Sequence, residues 1–392
     1  MYQWLVNDQS VIFSSIIQST FEMARLSVEI AIGLIGVLVL WLGFFRIAEQ
    51  AGLINVLARL LSPLFRRLMP EVPRDHPALG SVTMNMAANL LGLDNAATPM
   101  GLKAMQDLQQ LNPAKDTATN AQILFLVLNT SSVTLLPVTI FLFRAQQGAA
   151  DPAAVFIPIL LATSASTLVG LLSVAWIQRL RILDAVVLAY FGGFAVLTAV
   201  LLYYLTSLSS VLMAEQSALL GNLTLFAVIA LFLLVGVKKG INVYEAFIDG
   251  AKQGFDVAVK IIPYLVAMLV AIGVLRASGA LDGLLVGVQW LFAAMGMNTD
   301  FVQALPTAFM KPLSGSGARA MMLETMNTHG VDSFPALLAA TIQGSTETTF
   351  YVLTVYFGSV GIRNVRHAIT CGLLADLAGV TTAILAGYWF FH

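Results

Sequence analysis

Four stretches of this chain, Asn120–Phe143, Ala153–Gln178, Ala185–Ala214 and Gln216–Val237, contain no Asp, Glu, Lys or Arg at all. A helix of about 20 such residues crosses a hydrocarbon layer about 30 Å thick, and each stretch is long enough to do so. Four further runs, Val28–Phe45, Val257–Leu275, Phe334–Val360 and Ala368–Phe391, carry one ionisable residue each. Eight spans are therefore expected. Lipid offers a backbone no hydrogen-bond partners, so spans this long and apolar must be helical. The expected class is an all-α membrane protein, and 58% hydrophobic residues with 10% charged agree with it; a soluble domain carries about 25% charged residues.

Several function classes drop out on charge and residue type. A net charge of −1 gives no pull toward nucleic acid. Cys371 is the lone cysteine, which excludes an internal disulfide. His76, His329, His367 and His392 are too dispersed to read as a metal motif. No activated nucleophile or paired acid stands out, so neither an enzyme nor a cofactor is expected.

The chain also resembles itself. A shift of 227 residues aligns Ala24-Arg25 with Ala251-Lys252, Glu29 with Asp256, and Gly52 with Gly279. In the second copy Ile241, Tyr244, Ile248, Ala251 and Phe255 share one helical face, and Glu245, Asp249, Lys252 and Asp256 another. Such a helix is expected to lie along the membrane interface. Further on, Leu90–Gln106 corresponds to Pro312–Met326, and Asn129–Phe141 to Gly344–Tyr356. Weak internal symmetry of this kind is common in transporters. The expected division is a first repeat over 1–182, a connecting helix pair over 183–239 and a second repeat over 240–392.

Basic residues set the orientation. With both termini outside an inner membrane, fifteen of the twenty Lys and Arg fall inside; Arg25, Arg144, Arg276, Lys311 and Arg319 do not. Val28–Phe45 then runs inward and Val257–Leu275 outward, so the repeats are expected to be inverted. Segments 78–111 and 300–328 are polar and broken by Gly and Pro, and read as re-entrant hairpins. Irregular backbone is tolerated at membrane depth only inside protein or beside a water-filled cavity.

Those hairpins and two interrupted spans hold the candidate site. The first hairpin turns at Gly92–Asn95, offering Asp94, Asn95 and Thr98. The second turns at Ser314-Gly315-Ser316-Gly317, between Lys311 and Arg319. A small polar turn feeding a helix N-terminus presents N–H groups to an anion or carbonyl; the plainer alternative is that Ser314 and Ser316 serve their own turn. Asn129, Thr130, Ser131 and Ser132, followed by Pro137, interrupt one span, and Ser345, Thr346, Glu347 and Thr348 interrupt another. An intramembrane carboxylate costs about 2.5–3.5 kcal/mol, so Glu347 needs water or a partner; Lys311 and Arg319 are the candidates for an ion pair. Asp376 fits a helix-packing hydrogen bond, and Asn85 and Asn89 fit the first hairpin as linings or caps.

The segments GLDNAATPMGLKAMQDLQ and FLVLNTSSVTLLP resemble spore maturation protein A, while KPLSGSGARAMM and QGSTETTFYVLTVYFGSVGI resemble spore maturation protein B. Both belong to the nucleoside-recognition, or Gate, class, whose other members include concentrative nucleoside transporters and ferrous iron transporters. The resemblance implies a transport-like fold and carries the hairpin and broken-helix roles onto the residues named above. The expected function is secondary transport of a small polar or anionic solute, nucleoside-like solutes included, with Glu347 coupling movement to protons or sodium. The expected partners are that solute, the coupling ion and the bilayer; a homo-oligomer stays open. The alternatives are a divalent metal permease and a non-transporting envelope scaffold, the latter favoured by a closed centre with Glu347 locked in an ion pair.

Overall fold

The computed structural model describes residues 11–92, 94–131, 134–180 and 182–392, without the side chains of residues 11, 12, 94–96, 210 and 211. Its helices fall into two sets in the same order. The first is α1 (Val11–Gln50), α2 (Leu53–Leu68), α3 (Pro77–Leu90), α4 (Asp94–Gln110), α5 (Asn120–Ser131), α6 (Val138–Gln146) and α7 (Phe156–Gln178). After α8 (Ala185–Thr206) and α9 (Ser210–Lys238) comes the second: α10 (Val243–Ala277), α11 (Ala280–Ala294), α12 (Leu305–Met310), α13 (Gly315–His329), α14 (Phe334–Ser345), α15 (Thr349–Ser359) and α16 (Ala368–Phe391).

Gly52 and Gly279, paired by the 227-residue shift, occupy the same position in the two sets. Each stands before the second helix with φ of 75° and 73°, a left-handed conformation that suits glycine. The long helices α1 and α10 pack antiparallel. Along α10, Gly250 meets Leu42 and Arg46, Gly254 meets Leu38 and Val39, and Gly273 meets Ser19 and Met23 of α1. The shift turns the contact of Gly250 with Arg46 into that of Met23 with Gly273, so the pairing maps onto itself. Small residues let the two backbones approach closely, which is how helices associate where no water drives them together. Helices α7 and α16 are antiparallel too, with Gly170 against Ala375 and Gly379 against Ser166.

Among the described residues six continuous helices are long and apolar enough to cross a membrane: Phe13–Gln50, Pro152–Gln178, Ala185–Thr206, Leu212–Lys238, Val243–Ala277 and Ala368–Phe391. The protein is an all-α, multi-pass membrane protein. The other two apolar runs are broken. Residues 120–143 divide at Ser131 and Val138, where Pro137 can donate no N–H to a ladder. Residues 334–360 divide at Ser345 and Thr349, with Thr346 fully extended at φ −148° and ψ 175°. One expectation fails in part. The amphipathic stretch from Ile241 does not form a separate interfacial helix but continues through Pro263 as the first half of α10. Nothing between Val243 and Ala277 stops the helix, and its partner α1, at 40 residues or about 60 Å, supports it along this length.

Loops tie the sets together at both ends. Arg144, 0% exposed, donates to the carbonyls of Pro152, Asp151 and Val331 and to Asp332 Oδ1 at 3.0–3.2 Å. Elsewhere Arg366 donates to the Ala118 carbonyl at 3.0 Å, and the N–H groups of Arg363 and Asn364 reach the Asp116 carbonyl.

Candidate functional site

Each helical hairpin reaches the broken helix of its own set. The Leu90 carbonyl at the end of α3 accepts the Leu135 N–H at 3.3 Å, and the Pro312 carbonyl after α12 accepts the Phe350 N–H at 3.0 Å. The two breaks meet each other: Thr130 C=O accepts from Glu347 N–H at 2.7 Å. Unwound backbone that would otherwise be orphaned in an apolar interior is thereby satisfied across the symmetry.

A polar chamber of about 240 Å³ opens at this crossing, lined among others by Asn89, Thr98, Asn129, Lys311, Arg319, Gln343, Thr346, Glu347 and Tyr356. The structure thus brings six of the sequence-derived candidates to one cavity: Thr98, Asn129, Lys311, Arg319, Thr346 and Glu347. Lys311 is 3% exposed and follows the last turn of α12. The Arg319 guanidinium lies over the Phe143 ring, 5.2 Å from its centroid, a favourable place for a cation on an aromatic face. A second chamber of about 260 Å³ adjoins the first, lined by Trp41, Phe45, Arg46, Glu49 and other residues of α1, α6 and α10. Gly92, Thr139 and Arg319 line both.

Other candidates take different places. Ser314 accepts the Gly317 N–H at 3.1 Å and pairs with Ser316 at 3.2 Å, so it caps its own helix. Ser131 and Ser345 bond back to Leu128 and Ile342 carbonyls. Thr130 is fully buried and contributes its carbonyl, and Thr348 sits at the second hairpin tip beside Gly315. Ser132 and the side chains of Asp94 and Asn95 lie outside the described residues, though the Asp94 and Asn95 backbone opens α4. The Glu347 side chain is exposed toward the chamber, and among the described residues no ion pair holds it. Asp376 accepts the Thr349 hydroxyl at 2.6 Å.

Tyr356 joins the site without having been singled out in the sequence. Its hydroxyl lies 3.3 Å from Asn129 Oδ1 and 3.5 Å from Asn85 Nδ2. Asn89 Nδ2 donates to the same Asn129 oxygen at 2.8 Å, and Asn85 Nδ2 to the Ala97 carbonyl at 2.7 Å. Asn85 and Asn89 are therefore network members on α3. A methyl at Gly101 would overlap the Tyr356 hydroxyl, so only glycine there leaves it room. The network joins the first hairpin, the first break and α15 of the other set.

A helical hairpin and a broken helix thus recur in each of the two helical sets of this membrane protein. The nucleoside recognition family, Gate, matches residues 31–147 and 258–363, more than half of the chain, and this protein belongs to that family. The matched segments begin 227 residues apart, the offset at which the sequence aligns with itself. Spore maturation protein B of Bacillus subtilis (strain 168) is 48% identical over 158 residues, 40% of this chain and 87% of that protein. Spore maturation protein A of the same organism is 41% identical over 146 residues, 37% of this chain and 74% of that protein. No solved structure matches.

Proposed function

We propose that this chain is a secondary transporter for a small polar or anionic solute, bound in the chamber at the crossing of the two broken helices. The observation that carries the reading is the company kept there by Lys311 and Arg319 with the amides of Asn89, Asn129 and Gln343. A cavity of about 240 Å³ is smaller than the 300–1,000 Å³ of drug-sized sites, which favours a compact solute. A small nucleoside-like or organic-anion ligand suits these donors. The adjoining chamber supplies a route past Arg319 toward α1 and α10. The antiparallel pairs α1 with α10 and α7 with α16 support inverted repeats with hairpins entering from opposite sides, rocking about the solute.

A Glu347 side chain that is exposed toward the chamber favours this reading over a closed scaffold. In the transport cycle Glu347 takes the ion-coupling role. The test is uptake into proteoliposomes across a panel of labelled nucleosides, nucleotides and organic acids. Lys311→Gln is expected to lower uptake of an anionic solute at least tenfold while the protein still folds; transport of nothing in the panel, or full uptake by Lys311→Gln, sinks the assignment.

A further inference from the structure

Helix α2 carries three arginines and no Asp or Glu, and its residues fall into stripes at steps of three and four. Ile54, Ala58, Phe65 and Leu68 are buried against the protein. Asn55, Arg59 and Arg66 form a second stripe, which is exposed. Val56, Leu60 and Pro63 form a third, also exposed, with Val56 55% and Leu60 61% open. A basic edge beside an exposed apolar edge is the pattern of a helix lying flat in a membrane interface.

Two contacts with α8 fix the depth of α2. A crossing helix of 22 residues is about 33 Å long, so Asp184, which caps the start of α8, stands at one membrane surface. Arg67, at the C-terminal end of α2, pairs with Asp184 at 3.5 Å. In the middle of α2 the Leu60 carbonyl accepts the hydroxyl of Tyr190. Tyr190 lies five residues past Ala185, about 8 Å along α8 from that surface. Interfacial helices sit about 5–10 Å into the headgroup and acyl boundary, the same depth. Arg67 is committed to Asp184, whereas among the described residues Arg59 and Arg66 reach no carboxylate.

The helix at the corresponding place in the second set, α11, lacks this charge. The 227-residue shift sets Val286, Ala293 and Ala294 against Arg59, Arg66 and Arg67, and the one charged residue of α11 is Asp282. The position in the fold therefore does not call for arginine, and the charge on α2 answers to what lies outside it. We propose that Arg59 and Arg66 bind the headgroups of anionic phospholipid, with Val56, Leu60 and Pro63 seated among the acyl chains. Each arginine can lay its apolar stem along the helix and raise its guanidinium into the headgroup layer, where the planar fork matches phosphate oxygens. The inference goes beyond the transport reading, because lipid binding at α2 needs no solute.

The experiment is thermal unfolding of the purified full-length protein in a non-ionic detergent, titrated separately with phosphatidylglycerol, phosphatidylcholine and glycerol 3-phosphate. Phosphatidylglycerol is expected to raise Tm saturably and by more than phosphatidylcholine, since a ligand of the native state alone stabilises it. Arg59→Gln and Arg66→Gln should each weaken apparent phosphatidylglycerol affinity about fivefold, and the double variant about twenty-five-fold. Equal shifts with the two lipids, or an unchanged phosphatidylglycerol affinity in the double variant, overturn the proposal. So does a full shift with glycerol 3-phosphate, which would mark a site for free anions. Depth is read separately from a nitroxide on Leu60→Cys in vesicles of the two lipids, Cys371 being 0% exposed and shielded from the label. Oxygen is expected to relax that nitroxide more than a water-soluble nickel complex does. The reverse order puts α2 in water and overturns the proposal even where the arginine variants fail to fold.

Discussion

The carbonyl of Thr130 accepts the backbone N–H of Glu347 at 2.7 Å, and the two residues come from opposite halves of the molecule. Each belongs to a polar interruption in an otherwise apolar helix, so each break supplies the hydrogen bond that the other lacks. This direct junction explains why unwound backbone persists in an apolar interior, and it joins the two halves directly. Loop contacts add further ties between the halves.

Arg144 is one such tie. Its buried guanidinium serves three carbonyls and the half-exposed Asp332. Arg144→Met is expected to cost about 3 kcal/mol, because it leaves several buried acceptors without their donor. Asp332→Asn should cost less than about 1 kcal/mol, since the carboxylate is 45% exposed and screened by water. Thermal unfolding of the two variants in the same detergent checks the ordering. Equal losses would mean that the ion pair, not the carbonyl cluster, is what holds the loops.

The seam between α1 and α10 makes a second prediction. A methyl at Gly254 would lie 2.6 Å from the Val39 backbone N, and one at Gly250 would strike the Leu42 carbonyl. Backbone cannot rotate away as a side-chain tip can, so Gly250→Ala and Gly254→Ala should each destabilise by about 2 kcal/mol or more. Gly192 on α8 meets nothing within 4 Å. Gly192→Ala should be neutral or stabilising by up to about 1 kcal/mol. Melting temperatures of the three variants provide the comparison.

Much of this architecture was legible because membrane physics writes it coarsely. Uncharged runs mark the crossings, and the polar clusters at Asn129–Ser131 and Ser345–Thr348 mark where two runs break. Gly52 and Gly279 were one of the pairs behind the repeat offset, and both stand at a left-handed turn that few other residues accept. The continuity of α10 was not legible: its amphipathic and apolar parts differ in pattern, but no stop signal separates them. Ser314 was ambiguous for a physical reason, since a cap and an anion ligand call for the same hydroxyl. Tyr356 sat in an ordinary apolar aromatic stretch, and its partner Asn85 is 271 residues away. Only the fold brings those two together.

That network yields a third prediction. The Tyr356 ring stacks on Phe125 with centroids 5.6 Å apart, so Tyr356→Phe should keep its packing and lose only the hydroxyl. The loss should be about 1 kcal/mol in stability, with a larger effect on solute affinity, because Asn129 is released to reorient in the chamber. Gly101→Ala should act in the same direction by displacing the hydroxyl. If solute-induced thermal shifts are unchanged in both variants, the network is structural and does not shape the chamber.

Acid should weaken the loop end opposite Arg144 through His367, which lies within hydrogen-bond distance of Gln178 at 3.1 Å. Burial, and then the neighbouring Arg366 charge, push its imidazole below the usual 6.5. The unfolded chain therefore binds more protons than the fold over the interval just under about pH 6.5, and stability rises with pH there. The contribution is complete above that value and is lost as pH falls through the lower folded value. His367→Gln should flatten this part of the stability–pH curve between pH 7.5 and 5. A slope identical to the parent protein would remove His367 as its source.

Glu347 combines two roles that a conservative substitution separates. Its backbone N–H holds the junction with Thr130, while its carboxylate faces the chamber. Glu347→Gln keeps the N–H and the side-chain shape and removes only the negative charge, so the fold should persist with Tm within a few degrees. On the proposed transport reading the carboxylate would bind its ion in one phase of the cycle and release it in another; a neutral amide would do neither. Gradient-driven uptake in proteoliposomes should then fall at least a hundredfold, while exchange of solute on both sides, which needs no net ion movement, should survive. Uptake that still follows the imposed ion gradient in Glu347→Gln would assign coupling to another group, and Asp376 would be the next to test.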